Sequence, residues 1–443
     1  MPEEYGEPPT RARYGLGGHT TREDDVTAAG ANWAGNLTYS AREIGAPATI
    51  DELRRVVASA PRVKALGSRH SFNRIADTDG VLVSTAALGG EPELDSEHAL
   101  VRAPAGMRYG ELARWLQERG WALENLASLP HISLAGAVST GTHGSGDRNA
   151  SLAEAVEAVE FVGSDGDVHR LARDDADFGG AVVALGALGV STALELRVEP
   201  TFDVAQTVYP DAALDRVLER YDAVTAAAYS VSLFTTWQDP DRVDQIWVKD
   251  RPGRPGPGLP DELGVSPAGK PLHPLPGVSE EPCTTQGGVP GPWLARLPHF
   301  RLEFTPSAGD ELQSEYLVPR TVGVAAIEVL RGLAARIAPL LQVCELRTVA
   351  ADTQWLAPSS GRDSVALHFT WKPLQHEVEA FLPELESALA PFDARPHWGK
   401  LFDTTAASRL PGLYPEWARF AGLRDRLDPR RVFVNGFLEA IGL

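Results

Sequence analysis

Cysteine is nearly absent: Cys283 and Cys344 are the only two in 443 residues, far apart and without paired spacing. That excludes a disulfide framework and a cysteine-built zinc centre, and reduced thiols of a cytoplasmic protein are the simplest reading. Long apolar runs are missing too. No stretch approaches the ~18 residues that a bilayer span needs, and the opening MPEEYGEPPTRARYGLGGHT has no apolar core for a secretory signal. Positive charge is in deficit, with 41 basic against 60 acidic residues and a net charge of −19. A polyanion would be repelled before contact, which argues against nucleic acid and anionic membranes as partners and leaves a small neutral substrate open.

Several catalytic signatures are also lacking. There is no H-E-x-x-H pair and no G-x-S-x-G elbow. The run Gly264-Val265-Ser266-Pro267-Ala268-Gly269-Lys270 approaches a phosphate loop, but Pro271 stands where a Ser or Thr must hold magnesium. Gly144-Ser145-Gly146 begins a dinucleotide fingerprint, yet Asn149 takes the place of its third glycine. No metal is expected.

What remains is a globular composition, 43% hydrophobic and 23% charged, long enough for two medium domains. Residues 1–30 are polar, rich in Gly and Pro, and read as a flexible extension. From 31 to 200 the pattern is mixed α+β: a helix over IDELRRVVASA, strands at Val63–Leu66, Val81–Ser84 and Leu100–Arg102, a helix over Tyr109–Leu116, and a hairpin over Val156–Leu171 turning at Ser164–Asp167. Residues 201–400 read as an antiparallel sheet. Its strands are expected at Ser230–Trp237, Asp244–Lys249, His299–Thr305, Val343–Val349 and Val365–Lys372, with helices at Val322–Ala335 and His376–Leu389. A Pro- and Gly-crowded excursion fills 251–297.

Three glycine-rich segments each follow an apolar run: Gly67–Ser71, Ala135–Gly146 and Gly186–Val190. Where Cβ is absent the backbone can approach an anion, and successive N–H groups form a nest for pyrophosphate oxygens. Tight turns would look the same one at a time. In Val365–Lys372, His368, Thr370 and Lys372 share one face opposite Val365, Leu367, Phe369 and Trp371, and Glu345 and Arg347 share a face of their own strand. Such a face is either solvated or lines a polar cavity.

The runs Leu66-Gly67-Ser68-Arg69-His70-Ser71-Phe72-Asn73 and SLPHISLAGAVSTGTHGSG (128–146) resemble the vanillyl-alcohol-oxidase-type flavoproteins, above all the alditol (xylitol) oxidases and the related sugar-lactone oxidases. Further along, the resemblance rests on Glu345-Leu346-Arg347, His368-Phe369-Thr370-Trp371 and Pro396-His397-Trp398-Gly399-Lys400, and it spans Asn32 to near the C-terminus. It implies a two-domain FAD-binding (PCMH-type) α+β fold, with the FAD-binding domain at 31–200, an antiparallel-sheet substrate (cap) domain at 201–400, and a segment 401–443 returning to the FAD domain. FAD would be joined covalently to His70. It would be bound by Gly67, Ser68, Arg69, Ser71, Ser128, Ser133, Gly136, Ser139, Thr140, Gly141, Thr142, His143, Gly144, Gly189 and Val190. Arg69 stands where relatives often carry a small residue, and for His143 the alternative is a hydrogen bond within its own loop.

The resemblance also implies that Ser128, Gln313, Glu345, Arg347, Thr370 and Lys400 bind an alditol. Arg347 and Lys400 would stabilise developing alkoxide charge, and either His368 or Lys400 would take the hydroxyl proton. The implied activity is oxidation of a terminal primary hydroxyl of a polyol such as xylitol or sorbitol to the aldose, with O2 reduced to H2O2. Small Ala127 would leave room for oxygen. The alternatives are a sugar-1,4-lactone oxidase or dehydrogenase, a flavin dehydrogenase with another acceptor, and a non-catalytic binding module. A cytoplasmic monomer is expected.

Overall fold

The computed structural model describes residues 30–304 and 311–443. All of the expected N-terminal extension but Gly30 lies outside them, as does Thr305 of the strand expected at 299–305.

The first helix, Ile50–Ser59, begins where the Thr49 hydroxyl accepts from Glu52 N and the Glu52 carboxylate accepts from Ala48 N. These bonds satisfy amides that a helix start leaves unpaired. Leu53 and Val57 bury its inner face against Val63, Val83, Val432 and Phe433. The chain then enters a small parallel sheet of Glu43–Gly45, Val81–Ser84 and Val63–Leu66. The loop 67–73 leaves from the carboxyl end of Val63–Leu66. A second sheet is antiparallel throughout, in the order Glu93–Asp95, Leu100–Pro104, Val190–Arg197, Val156–Val162 and Val168–Ala172.

The largest sheet has eight antiparallel strands. In order they are Gly291–Pro292, Asp203–Ala213, Arg242–Asp250, Ser230–Thr235, Leu341–Val349, Ser364–Trp371, Leu312–Pro319 and Arg395–Pro396. Helices Gly323–Gly332 and Gln375–Leu389 cover one face. Gly323 lets its helix lie close, since a Cβ there would sit 2.4 Å from Val365 Cγ2. Every residue of Ser364–Trp371 is buried, so neither face of that strand is solvated.

Two expectations need correction. His299–Phe304 is not a strand. The amides of His299 and Phe300 both turn to Ser128 O, and the segment keeps only an isolated bridge, Cys283 to Phe300. Conversely, Asp203–Ala213 and Leu312–Pro319 are long strands that the alternation did not expose. The first carries Pro210 and an Asp211 at φ +62°, which break its pattern. The second buries Gln313, Ser314 and Glu315 at least partly, so its polar positions do not mark a wet face.

Candidate active site

A cavity of about 530 Å3 runs from the glycine-rich loops to the uncovered face of the eight-stranded sheet. At its first end is the 67–73 loop. Arg69 sits at φ +63°, where only a left-handed turn is allowed, and this turn brings the His70 ring against Trp33 at 5.2 Å between centroids. Asn32 and Asn36 donate to the carbonyls of Ser71 and Phe72 and fix the loop from outside. Burial, reinforced by His131 and Arg108, lowers His70 to about 4, and its Nδ1 is turned from solvent without a hydrogen-bond partner. The imidazole is therefore neutral with a free lone pair or N–H at that atom.

Ser68 and Ser133 bond reciprocally through backbone N–H and hydroxyl groups, which pins the second glycine-rich segment to the first. A Cβ on Gly67 would stand 2.5 Å from Ser133 Oγ, so only glycine permits this approach. Of the positions expected to hold a cofactor, all border the cavity except Gly141, Gly144 and Val190. Those three stand behind the wall. Gly141 packs on Pro358, Gly144 on Asn125 and Leu126, and Val190 in the apolar cluster of Leu53 and Val57.

At the other end the sheet register gathers side chains from separate strands. Phe234, Glu345, His368 and Glu315 pair in one row across four strands, and Val343, Thr370 and Gln313 form the next. Ser128, Gln313, Glu345, Arg347, His368, Thr370 and Lys400 all border the cavity. Lys372, which the alternation placed with His368 and Thr370, lies beyond the strand end with its Nζ on Pro339 O.

Glu315 is the residue that sequence reading missed. Its carboxylate is 1% exposed; it accepts from Arg347 Nη2 at 2.8 Å on Oε1 and from Lys400 Nζ at 2.6 Å on Oε2. His143 Nε2 stands 3.4 Å away, while its Nδ1 donates to Gly144 O, so His143 serves its own loop and also faces the site. The available signal was the two-residue spacing of Gln313 and Glu315 in LQSEY. His299 and His397 were also missed as cavity residues; His299 Nε2 lies 2.9 Å from Glu345 Oε1, and His397 Nδ1 accepts from Gly399 N.

The charges are mutually set. Burial opposes ionisation of Glu315, but Lys400 and Arg347 outweigh it and hold the carboxyl well below the usual range. Glu345 behaves likewise through Arg347 and His299. Burial, assisted by neighbouring lysines, lowers His299 and His368 to about 4, so both are neutral near pH 7. Lys400 Nζ also approaches His368 Nδ1 at 2.6 Å, and His368 Nε2 reaches Thr370 Oγ1 at 3.2 Å.

The two ends are tied together. Phe72 N donates to Gly399 O, and the Asn73 side chain donates to the carbonyls of Trp398 and Lys400. The His70 loop thereby fixes the backbone that carries Lys400.

Residues 42–172 match the family described as FAD binding domain, and 310–441 that described as D-arabinono-1,4-lactone oxidase. The chain is 52% identical to the alditol oxidase of Streptomyces sp. (strain IKD472 / FERM P-14339), covering 94% of this chain and 99% of that one. It is 30% identical to the L-gulono-1,4-lactone dehydrogenase of Mycobacterium tuberculosis (strain ATCC 25618 / H37Rv), covering 93% and 98%. Among solved structures, cholesterol oxidase from B. sterolicum superposes with a TM-score of 0.74 over 94% of this chain and 96% of that one, at 14% identity, a likeness of fold alone.

The buried neutral histidines predict an acid-sensitive fold. An unfolded histidine binds a proton near its ordinary value of 6.5, whereas folded His299 and His368 resist protonation down to about 4. In that window the unfolded chain holds more protons, so stability is complete above about pH 6.5 and falls as pH drops toward 4. Urea midpoints should decrease between about pH 7.5 and about pH 5, with a shallower slope in His368→Phe. A flat profile would contradict the assignment.

Proposed function

The chain belongs to the alditol oxidase family, and from that premise we propose that it oxidises a terminal primary hydroxyl of an alditol such as xylitol or sorbitol to the aldose, with O2 reduced to H2O2. The observation that carries this reading is the polar row on the buried sheet face, with Glu345, Gln313 and Thr370 around Arg347 and Lys400. A neutral chain of hydroxyls needs many donors and acceptors in a dry cavity. Leaving any of them unpaired penalises substrates that lack a hydroxyl.

FAD is the cofactor of the family, and the residues here fit it: Gly67, Gly136 and Gly189 border the cavity with bare backbone, and His70 offers an unpartnered neutral nitrogen. In the proposed holoenzyme His70 carries the flavin covalently, and the Gly67–Ser71 and Ser133–Thr142 segments hold it. Bound FAD supplies the acceptor for the hydrogen and electron pair removed from the alcohol carbon.

The chain's own part is proton handling and charge. His368 is a poor final base, because its conjugate acid is lost above about pH 4 and Nδ1 is already engaged with Lys400. Burial lowers Lys400 below its ordinary value, with Arg347 adding to the effect and Glu315 opposing it. Lys400 rests as the ammonium paired with Glu315; once it has given up a proton it takes the one from the hydroxyl, and Glu315 stabilises the ammonium that re-forms. Arg347 donates to the substrate oxygen as it gains negative charge. His368 orients Lys400, and Ser128 supports Arg347 through a 3.3 Å hydrogen bond.

A second reading, a sugar-1,4-lactone oxidase or dehydrogenase, is favoured by the match of 310–441 to the lactone-oxidase family. A panel of xylitol, sorbitol and L-gulono-1,4-lactone with peroxide and oxygen detection separates the two, and separates oxygen from another acceptor. The same proposal makes the enzyme a cytoplasmic monomer with reduced thiols, consistent with the two free buried cysteines.

Two outcomes test the site directly. Flavin absorbance should stay with the acid-precipitated polypeptide and be released from His70→Ala; release from the unaltered protein would refute the covalent link. Lys400→Ala and Arg347→Ala should each lower turnover at least about 100-fold with flavin retained. Unchanged turnover in either variant would remove that residue from the chemistry.

A further inference from the structure

Behind the polar row lies a second buried acid–base chain that the proposed reaction does not use. We infer that Lys249 and His299 form a positioning relay that fixes Glu345 as a pure hydrogen-bond acceptor, so that the site selects a substrate presenting a hydroxyl donor to Glu345. The inference rests on the alditol reading of the cavity.

Lys249 stands on Arg242–Asp250 and is 1% exposed. Its Nζ meets Leu297 O, Pro298 O at 3.2 Å and His299 Nδ1 at 3.0 Å. Burial lowers Lys249 to about 7, and below that pH it is an ammonium; carbonyls only accept, so two of its hydrogens go to them and the third to Nδ1. That bond leaves the His299 proton on Nε2, which donates to Glu345 Oε1 at 2.9 Å. The ring cannot turn away, because Phe234 and Trp247 meet it edge-on at 5.5 and 5.3 Å between centroids.

With Oε1 occupied, Glu345 keeps Oε2 for Arg347 Nη1, 3.4 Å away, and for whatever enters the cavity. An ionised carboxylate accepts and never donates, so the partner must bring a hydrogen. A hydroxyl does. A lactone carbonyl oxygen or a carbon without oxygen does not, and would leave Glu345 Oε2 with only its 3.4 Å contact to Arg347. A lysine without such a task would be replaced at little loss by an apolar chain in this interior, since burying its charge is unfavourable. Its three-way placement is what sets the histidine tautomer.

The test uses anaerobic reduction of the bound flavin by xylitol in the holoenzyme. Lys249→Met and His299→Phe should weaken apparent xylitol affinity roughly tenfold or more while the limiting rate of flavin reduction changes far less. His299→Gln, whose amide still donates to Glu345, should recover most of the affinity. Because Lys249 acts through Glu345, Lys249→Met combined with Glu345→Gln should be no worse than Glu345→Gln alone. Additive losses, or no rescue by Gln, would overturn the relay. A substrate-free measurement stands beside these: 15N shifts of labelled histidine should show His299 neutral with its proton on Nε2, and a proton on Nδ1 would refute it. If xylitol fails to reduce the unaltered enzyme while a lactone succeeds, the alditol reading fails, and the 15N result still decides the tautomer.

Discussion

Glu315, 1% exposed, places one carboxylate oxygen against Arg347 and the other against Lys400. Either cation alone in that place would be strongly disfavoured, and so would the carboxylate. Together they are mutually required, and this triad sets the geometry around it. Arg347 is oriented between Glu315, Glu345 and Ser128, and Lys400 between Glu315 and His368. A substrate entering the cavity meets cations that are already fixed. Little reorganisation is then needed when negative charge develops on an oxygen.

The fold supplies this triad by bringing distant stretches of chain to one sheet face. Glu315, His368 and Glu345 stand side by side on three neighbouring strands. Lys400 arrives from the segment after Arg395–Pro396, whose His397 N and Leu401 N donate to Glu315 O and Gln313 O. The bonds from Phe72 and Asn73 to 398–400 tie that segment to the loop of His70. A change at either loop therefore moves both, so the loops of His70 and Lys400 are mechanically linked.

Much of this was legible in the chain where neighbours in sequence are neighbours in function. The G-S-R-H-S run is contiguous, and the alternation in Val365–Lys372 correctly turns His368 and Thr370 toward the cavity. Glu315 escaped because its role is defined by Lys400 and Arg347 on other strands, and nothing in LQSEY alone distinguishes it from a solvated glutamate. His299 escaped because its segment read as a strand, whereas paired amide bonds to Ser128 O make it a turn of chain under the sheet. The glycines divide in the same way. All four are crowded, Gly67 and Gly136 by Ser133 and Gly141 and Gly144 by Pro358 and Asn125, but only the first two border the cavity, a distinction that only packing reveals.

The central claim is that Glu315 makes Lys400 and Arg347 competent together. The most direct measurement is the anaerobic rate at which xylitol reduces the flavin in Glu315→Gln, which keeps the shape and removes the charge. A fall of about 100-fold or more is expected, with flavin still bound. A rate equal to that of the unaltered enzyme would show that the triad is scaffolding, and that proton transfer and charge stabilisation lie elsewhere.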